Sequence, residues 1–199
     1  MREGEGMELT IPNLLTLARV VAAPLVALIF LVFERVEAQW IAFWVFSLAA
    51  ITDYFDGYLA RKWEQVSGFG RMLDPIADKA MVAIAAAVLV GIYGLDWMIV
   101  IPVTIILLRE VMVSGLREYL KGADVVKVTL LAKYKTTFQL IAIGALFLAG
   151  PAMAWGYFGE VVLYGGYALL WIAGGLTAIT GWDYFRRGVA YIRAEEERA

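Results

Sequence analysis

Residues 11–33 read IPNLLTLARVVAAPLVALIFLVF. A helix over that run rises about 1.5 Å per residue, so it crosses a hydrocarbon core about 30 Å thick while satisfying its own backbone hydrogen bonds. Working outward along the chain, runs of the same character recur at 39–60, 75–93, 97–118, 131–149 and 158–185. Of the 199 residues 62% are hydrophobic and mean hydropathy is +0.73. Soluble domains hold about 45–50% apolar residues and have no means of hiding this much apolar surface. The expectation is an all-α, polytopic integral membrane protein with six transmembrane helices in one membrane-embedded domain, residues 1–199. Residues 1–10 form a short N-terminal arm. Residues 186–199, with RRG, YIR and a terminal EEER, read as a short solvated or interfacial tail helix. The acidic start, Met1 to Glu8, runs into an apolar segment too long for a signal peptide and is expected to be retained.

Six crossings put both termini on one side. The connections on the other side are 34–38, 94–96 and 150–157, and of 17 Lys and Arg residues only Arg35 falls in them. By the positive-inside rule the termini and the 61–74 and 119–130 loops face the cytoplasm. A net charge of −2 gives no reason to expect nucleic acid as a partner. The chain has no cysteine and no histidine, which excludes disulfides, zinc–thiolate sites, catalytic thiols and imidazole bases. Carboxylates, Lys and Arg remain as the strong chemical actors. Small pairs such as Gly57 with Ala60 and Gly174 with Gly175 suit close helix approach in lipid.

Ionisable side chains inside a span cost at least about 2.5–3.5 kcal/mol at the bilayer centre, so they call for partners, water or a function. Four Asp residues fall within 26 positions here. Asp53 and Asp56, at i and i+3 near the end of the second span, share a helix face with Gly57 and Ala60. Asp74 and Asp78, four apart at the start of the third span, share another; Asp74 suits a helix cap and Pro75 a first turn. Four carboxylates converging in a low dielectric need protons or divalent cations, and all-oxygen ligation points to Mg²⁺ or Mn²⁺. Arg61 offers a fork of donors for phosphate, or else pairs with an Asp or anchors the interface, and Gly70 offers bare backbone. Together these features describe a metal-bound pyrophosphate site.

Written out, Asp53 to Asp78 is D-x-x-D-G-x-x-A-R-x8-G-x3-D-x3-D. This resembles the CDP-alcohol phosphotransferase family. The resemblance implies a six-helix fold, a homodimer, and attack of an alcohol on the β-phosphorus of a CDP-linked lipid with release of CMP. It implies that Asp53 and Asp74 bridge two metal ions, that Asp56 and Asp78 each complete one site, and that Asp78 is the general base. It sets Asn13, Thr16, Gly57, Ala60, Arg61, Ser67 and Gly70 against the CDP-lipid; for Asn13 and Thr16, helix capping after Pro12 is the structural alternative.

IPNLLTLARV near the start, LLREVMVSGLREYL from Leu107 and KYKTTFQL from Lys133 resemble bacterial phosphatidylglycerophosphate synthases within that family. The implied donor is CDP-diacylglycerol, the implied acceptor sn-glycerol 3-phosphate, and the implied location the inner (plasma) membrane. Independently, an acceptor bearing a phosphate needs cations near the metals, and Arg109, Arg117, Lys133 and Lys135 supply them. Pairing with Glu110 or snorkelling is the alternative for Arg109, and interface anchoring for the two lysines. A cardiolipin synthase or an inositol-phosphate-using enzyme of the same family shares the chemistry. A metal-ion transporter using the four Asp residues is the reading from another class.

Overall fold

The computed structural model describes residues 10–63, 67–120 and 130–197; the side chains of Tyr54, of residues 56–61 and of residues 130–133 lie outside the description. Every regular element among the described residues is helical. They are α1 (Ile11–Val32), α2 (Arg35–Lys62), α3 (Gly68–Tyr93), α4 (Trp97–Tyr119), α5 (Leu130–Ala152), a 3₁₀ turn at Met153–Trp155, and α6 (Tyr157–Glu196).

The helices begin where side chains can replace missing backbone partners. Thr10 caps α1, its hydroxyl accepting from the Asn13 N–H, and Asp96 caps α4 by accepting from the Met98 N–H. Two reversals need glycine: Gly94 after α3 has φ 73° and Gly156 before α6 has φ 61°, where a Cβ is disfavoured. Helix α3 starts seven residues earlier than expected. Ser67 is its cap, with extended backbone and a hydroxyl accepting from the Gly70 N–H at 2.9 Å. Asp74 therefore does not cap, and Pro75 lies inside the helix rather than in its first turn. Nor is 186–199 a separate tail helix. With no proline to interrupt it, α6 runs unbroken for 40 residues to Glu196.

One core runs through the bundle. Ala23 and Val26 of α1, Phe46 of α2, Met81, Ala85 and Leu89 of α3, Ile99 and Ile106 of α4, Ile143, Leu146 and Phe147 of α5 and Leu170 of α6 are buried together. Phe147 is at its centre, edge-on to Phe46 at 6.0 Å. The outward faces are apolar too: Leu28, Leu31, Trp44, Leu48, Leu108, Val111 and Ile179 are all exposed. In water this would be an aggregating surface, whereas in lipid it is the proper one. Helices α1, α3, α4, α5 and α6 are long and apolar enough to cross a membrane; α2 falls short of that apolarity, diluted by residues such as Gln39, Ser47, Thr52 and Asp53. The chain is a multi-pass membrane protein.

Helix α6 packs on α5 and α4, while α1 packs on α2 and α3. Its contact with α4 has a fixed step. A Cβ added at Gly174 would lie 3.1 Å from Pro102 Cβ, at Gly181 2.9 Å from Arg109 Cγ, and at Gly188 2.6 Å from Leu116 Cδ1. Seven residues separate each member from the next on both helices, so α4 and α6 run parallel in register with glycine receiving the larger neighbour. Gly174 thus fulfils the close approach expected of it, but Gly175 has nothing within 4 Å of an added Cβ.

Candidate functional site

On α1 one stripe is buried: Asn13, Thr16, Arg19, Ala23 and Val26, spaced by three or four. Its inner half is apolar and packs in the core, while its first half is polar and meets α2 and α3. Asn13 and Thr16 reach across to α3 instead of capping α1. The Asn13 Oδ1 accepts from Ser67 Oγ at 2.9 Å, and the Thr16 hydroxyl, 3.1 Å from the Pro12 carbonyl, lies 2.8 Å from Asp74 Oδ1, to which it donates. A Cβ at Gly70 would lie 2.6 Å from Asn13 Oδ1 and force that side chain to shift. The bare backbone of Gly70 receives a neighbouring side chain in this structure.

Arg19, which sequence reading passed over, holds the aspartates together. Its side chain is only 4% exposed, and its Nη1 contacts both Asp53 Oδ1 and Asp78 Oδ1, the latter at 2.5 Å; Nη2 is 3.6 Å from Asp74 Oδ1. The three carboxylates, on α2 and α3, are about half exposed. The signal for Arg19 was present as a lone charge in the first apolar run, three residues from Thr16 and six from Asn13, but one arginine in a span reads equally as an interfacial anchor.

Among the described residues no three acidic side chains already surround one point; the Asp56 side chain lies outside them. The donor chemistry nevertheless fits a hard divalent cation. Asp53 and Asp78 present oxygens to the same nitrogen atom of Arg19, so a positive charge is already accommodated between them, and each donor is oxygen.

A cavity of about 400 Å³ opens beside these aspartates, lined by Asp74, Pro75, Asp78, Lys79, Val82, Arg109, Glu110, Arg117, Lys135, Thr136 and Gln139. Three of the four cations expected for an acceptor phosphate, Arg109, Arg117 and Lys135, thus share one space with two of the four aspartates. Glu110 organises two of them, accepting from Arg109 Nη1 at 2.9 Å and from Lys135 Nζ at 2.8 Å. The Glu110 pairing weighed against a ligand role for Arg109 is therefore present, and it coexists with the cavity. Tyr184 of α6, buried to 6% exposure, carries the Arg109 guanidinium 5.6 Å and the Arg117 guanidinium 5.8 Å from its ring centroid. Lys79 donates to Ser114 Oγ at 2.6 Å, and that hydroxyl donates to the Glu110 carbonyl. Tyr184, Lys79 and Glu110 were not assigned to the site from sequence, because an aromatic in an apolar helix and a charge beside an aspartate carry no distinctive spacing.

Asp56, Gly57, Ala60 and Arg61 fall on the last turns of α2 and Lys133 on the first turn of α5. Their side chains lie outside the described residues.

The site sets clustered aspartates beside clustered cations in a helical membrane bundle, and comparison with known proteins gives its class as a transferase. The model of the CDP-alcohol phosphatidyltransferase family matches residues 9–178, and the chain belongs to that family. Among curated relatives, a CDP-diacylglycerol–glycerol-3-phosphate 3-phosphatidyltransferase of Cereibacter sphaeroides is 48% identical over 96% of this chain and 100% of its own length. Proteins of the same name from Rickettsia typhi, 42% identical over 91% of this chain and 98% of theirs, and from Pectobacterium atrosepticum, 40% identical over 90% and 93%, are also similar.

Proposed function

We propose that this protein transfers the phosphatidyl group of CDP-diacylglycerol to sn-glycerol 3-phosphate, releasing CMP. The observation that carries the reading is the cavity that joins Asp74 and Asp78 to Arg109, Arg117 and Lys135. A neutral alcohol has no use for a cationic wall, whereas a phosphorylated acceptor does. The names of the relatives agree with that acceptor.

In this reading Arg109, Arg117, Lys133 and Lys135 hold the acceptor phosphate, and its free primary hydroxyl lies toward Asp78. The hydroxyl oxygen attacks the β-phosphorus, forming a new P–O bond as the P–O bond to CMP breaks. CMP leaves with that electron pair, and Asp78 accepts the hydroxyl proton. Asp53, Asp56, Asp74 and Asp78 would hold two Mg²⁺ or Mn²⁺ ions. When bound, such ions supply charge neutralisation on the pyrophosphate and polarisation of the attacked phosphorus. Asn13, Thr16, Gly57, Ala60, Arg61, Ser67 and Gly70 form the CDP-lipid side. Arg19 keeps Asp53, Asp74 and Asp78 from repelling one another and orients them.

We further place both termini and the site on the cytoplasmic side of the inner (plasma) membrane, with six crossings, α2 included, supported by the lone Arg35 among the opposite connections. A homodimer is the assembly that the family resemblance supports.

The test is CMP release by purified protein with CDP-diacylglycerol and, separately, glycerol 3-phosphate, inositol phosphate, serine or phosphatidylglycerol. Release with glycerol 3-phosphate alone, abolished by EDTA and restored by Mg²⁺ or Mn²⁺, is the expected result. Full release in chelator overturns the metal role, and release with another acceptor only overturns the substrate.

A further inference from the structure

Of the cavity's polar side chains that the proposed reaction does not use, Gln139 carries a buried atom without a partner. Gln139 of α5 is 3% exposed, lines the cavity, and has an Oε1 that is buried without a hydrogen-bond partner. It lies four residues, one helical turn, beyond Lys135 and so shares its face. A buried amide oxygen left unpaired costs free energy on each folding event, and the flanking Phe138, Leu140 and Ile141 show how readily an apolar side chain is placed in this helix.

We propose that Gln139 is a specificity-determining residue that hydrogen-bonds the unreactive C2 hydroxyl of the acceptor. The inference rests on glycerol 3-phosphate being that acceptor. This acceptor has three polar parts: a phosphate, a hydroxyl that attacks, and a hydroxyl on the carbon between them. Lys135, Arg109 and Arg117 account for the first and Asp78 for the second. The third also leaves water when the acceptor enters, and Gln139 is the cavity-lining amide left to receive it. A carboxamide suits the task because it can accept from a hydroxyl or donate to it without adding charge beside the phosphate. A site built this way rejects an analogue that lacks the hydroxyl, because the buried amide then stays unpaired.

The test uses the full-length enzyme in detergent with CDP-diacylglycerol and two acceptors, glycerol 3-phosphate and its 2-deoxy analogue, propane-1,3-diol monophosphate. Wild type is expected to favour glycerol 3-phosphate in kcat/KM by about 5- to 100-fold. Gln139→Met, similar in volume, and Gln139→Asn, one methylene shorter, are expected to bring that ratio near one by lowering kcat/KM for glycerol 3-phosphate, with the KM for CDP-diacylglycerol unchanged. Wild type that uses both acceptors equally overturns the proposal without reference to any variant. A wild-type ratio kept by either active variant also overturns it. CMP release with some other alcohol, and none with glycerol 3-phosphate, overturns the parent reading together with this one and is recognisable as such.

Discussion

Arg117 is unlike Arg109 and Lys135, the other cations of the cavity placed at the acceptor phosphate. It is exposed, rests on the Tyr184 ring, and has no carboxylate partner among the described residues, whereas Arg109 and Lys135 are both engaged by Glu110. Replacing it therefore isolates acceptor binding from folding. Arg117→Gln is expected to raise the acceptor KM by about 10- to 150-fold, the equivalent of one charge-assisted hydrogen bond of about 1.5–3 kcal/mol, with the CDP-diacylglycerol KM and the melting temperature near wild type. Lys135→Gln should raise the acceptor KM similarly and also lower the melting temperature, since Lys135 is buried and Glu110 would keep only Arg109. Steady-state kinetics with both substrates varied, alongside thermal unfolding in detergent, separates the two. An unchanged acceptor KM in both variants would place the phosphate elsewhere. At this scale the aspartates were legible because their spacing is a pattern. Arg19, Tyr184 and Gln139 were not, because each acts through a partner distant in sequence, and a single residue type in an apolar run says nothing of what it meets.

The sequence shows its helices plainly, but not their ends where local chemistry decides them. The run beginning at Pro75 looked like a start because proline suits a first turn, but Ser67 competes better as a cap and adds nearly two turns in which Asp74 sits. The apolar run of α6 ends at Phe185, but fading apolarity does not end a helix, and α6 continues to Glu196. The close packing of α6 gives the element-scale prediction. Gly181 receives the aliphatic part of Arg109, so Gly181→Val should displace that guanidinium, raising the acceptor KM about 10-fold and destabilising the protein by about 1–3 kcal/mol. Gly175→Val, facing open space on the same helix, should change neither. Kinetics and thermal unfolding of the pair check this, and equal behaviour of the two variants would show that the register does not position Arg109.

For the whole molecule, the absence of native cysteine permits a clean test of orientation. Leu95, 89% exposed in the turn between α3 and α4, should as Leu95→Cys react with a membrane-impermeant maleimide added to intact cells. Arg193→Cys, near the end of α6, should react only after permeabilisation. The reverse pattern would turn the site outward. The bundle architecture was legible because lipid imposes helices, and the side on which the chain places its cations is likewise written in composition. How the two halves of the molecule divide the site was not, since that depends on packing. Helices α1, α2 and α3 hold the aspartates and Arg19, while α4, α5 and α6 hold the cationic wall. The repeat that joins α4 to α6 has a mechanical consequence for that division. Pro102, Arg109 and Leu116 meet Gly174, Gly181 and Gly188 like teeth on a rack cut to one pitch. The two helices can slide to an equivalent fit only in jumps of about 10 Å, because any smaller travel drives side chains onto side chains. Arg109 and Arg117 thus keep their seat against α6, and a slide of α4 along α6 is not the movement that admits a lipid headgroup and releases CMP.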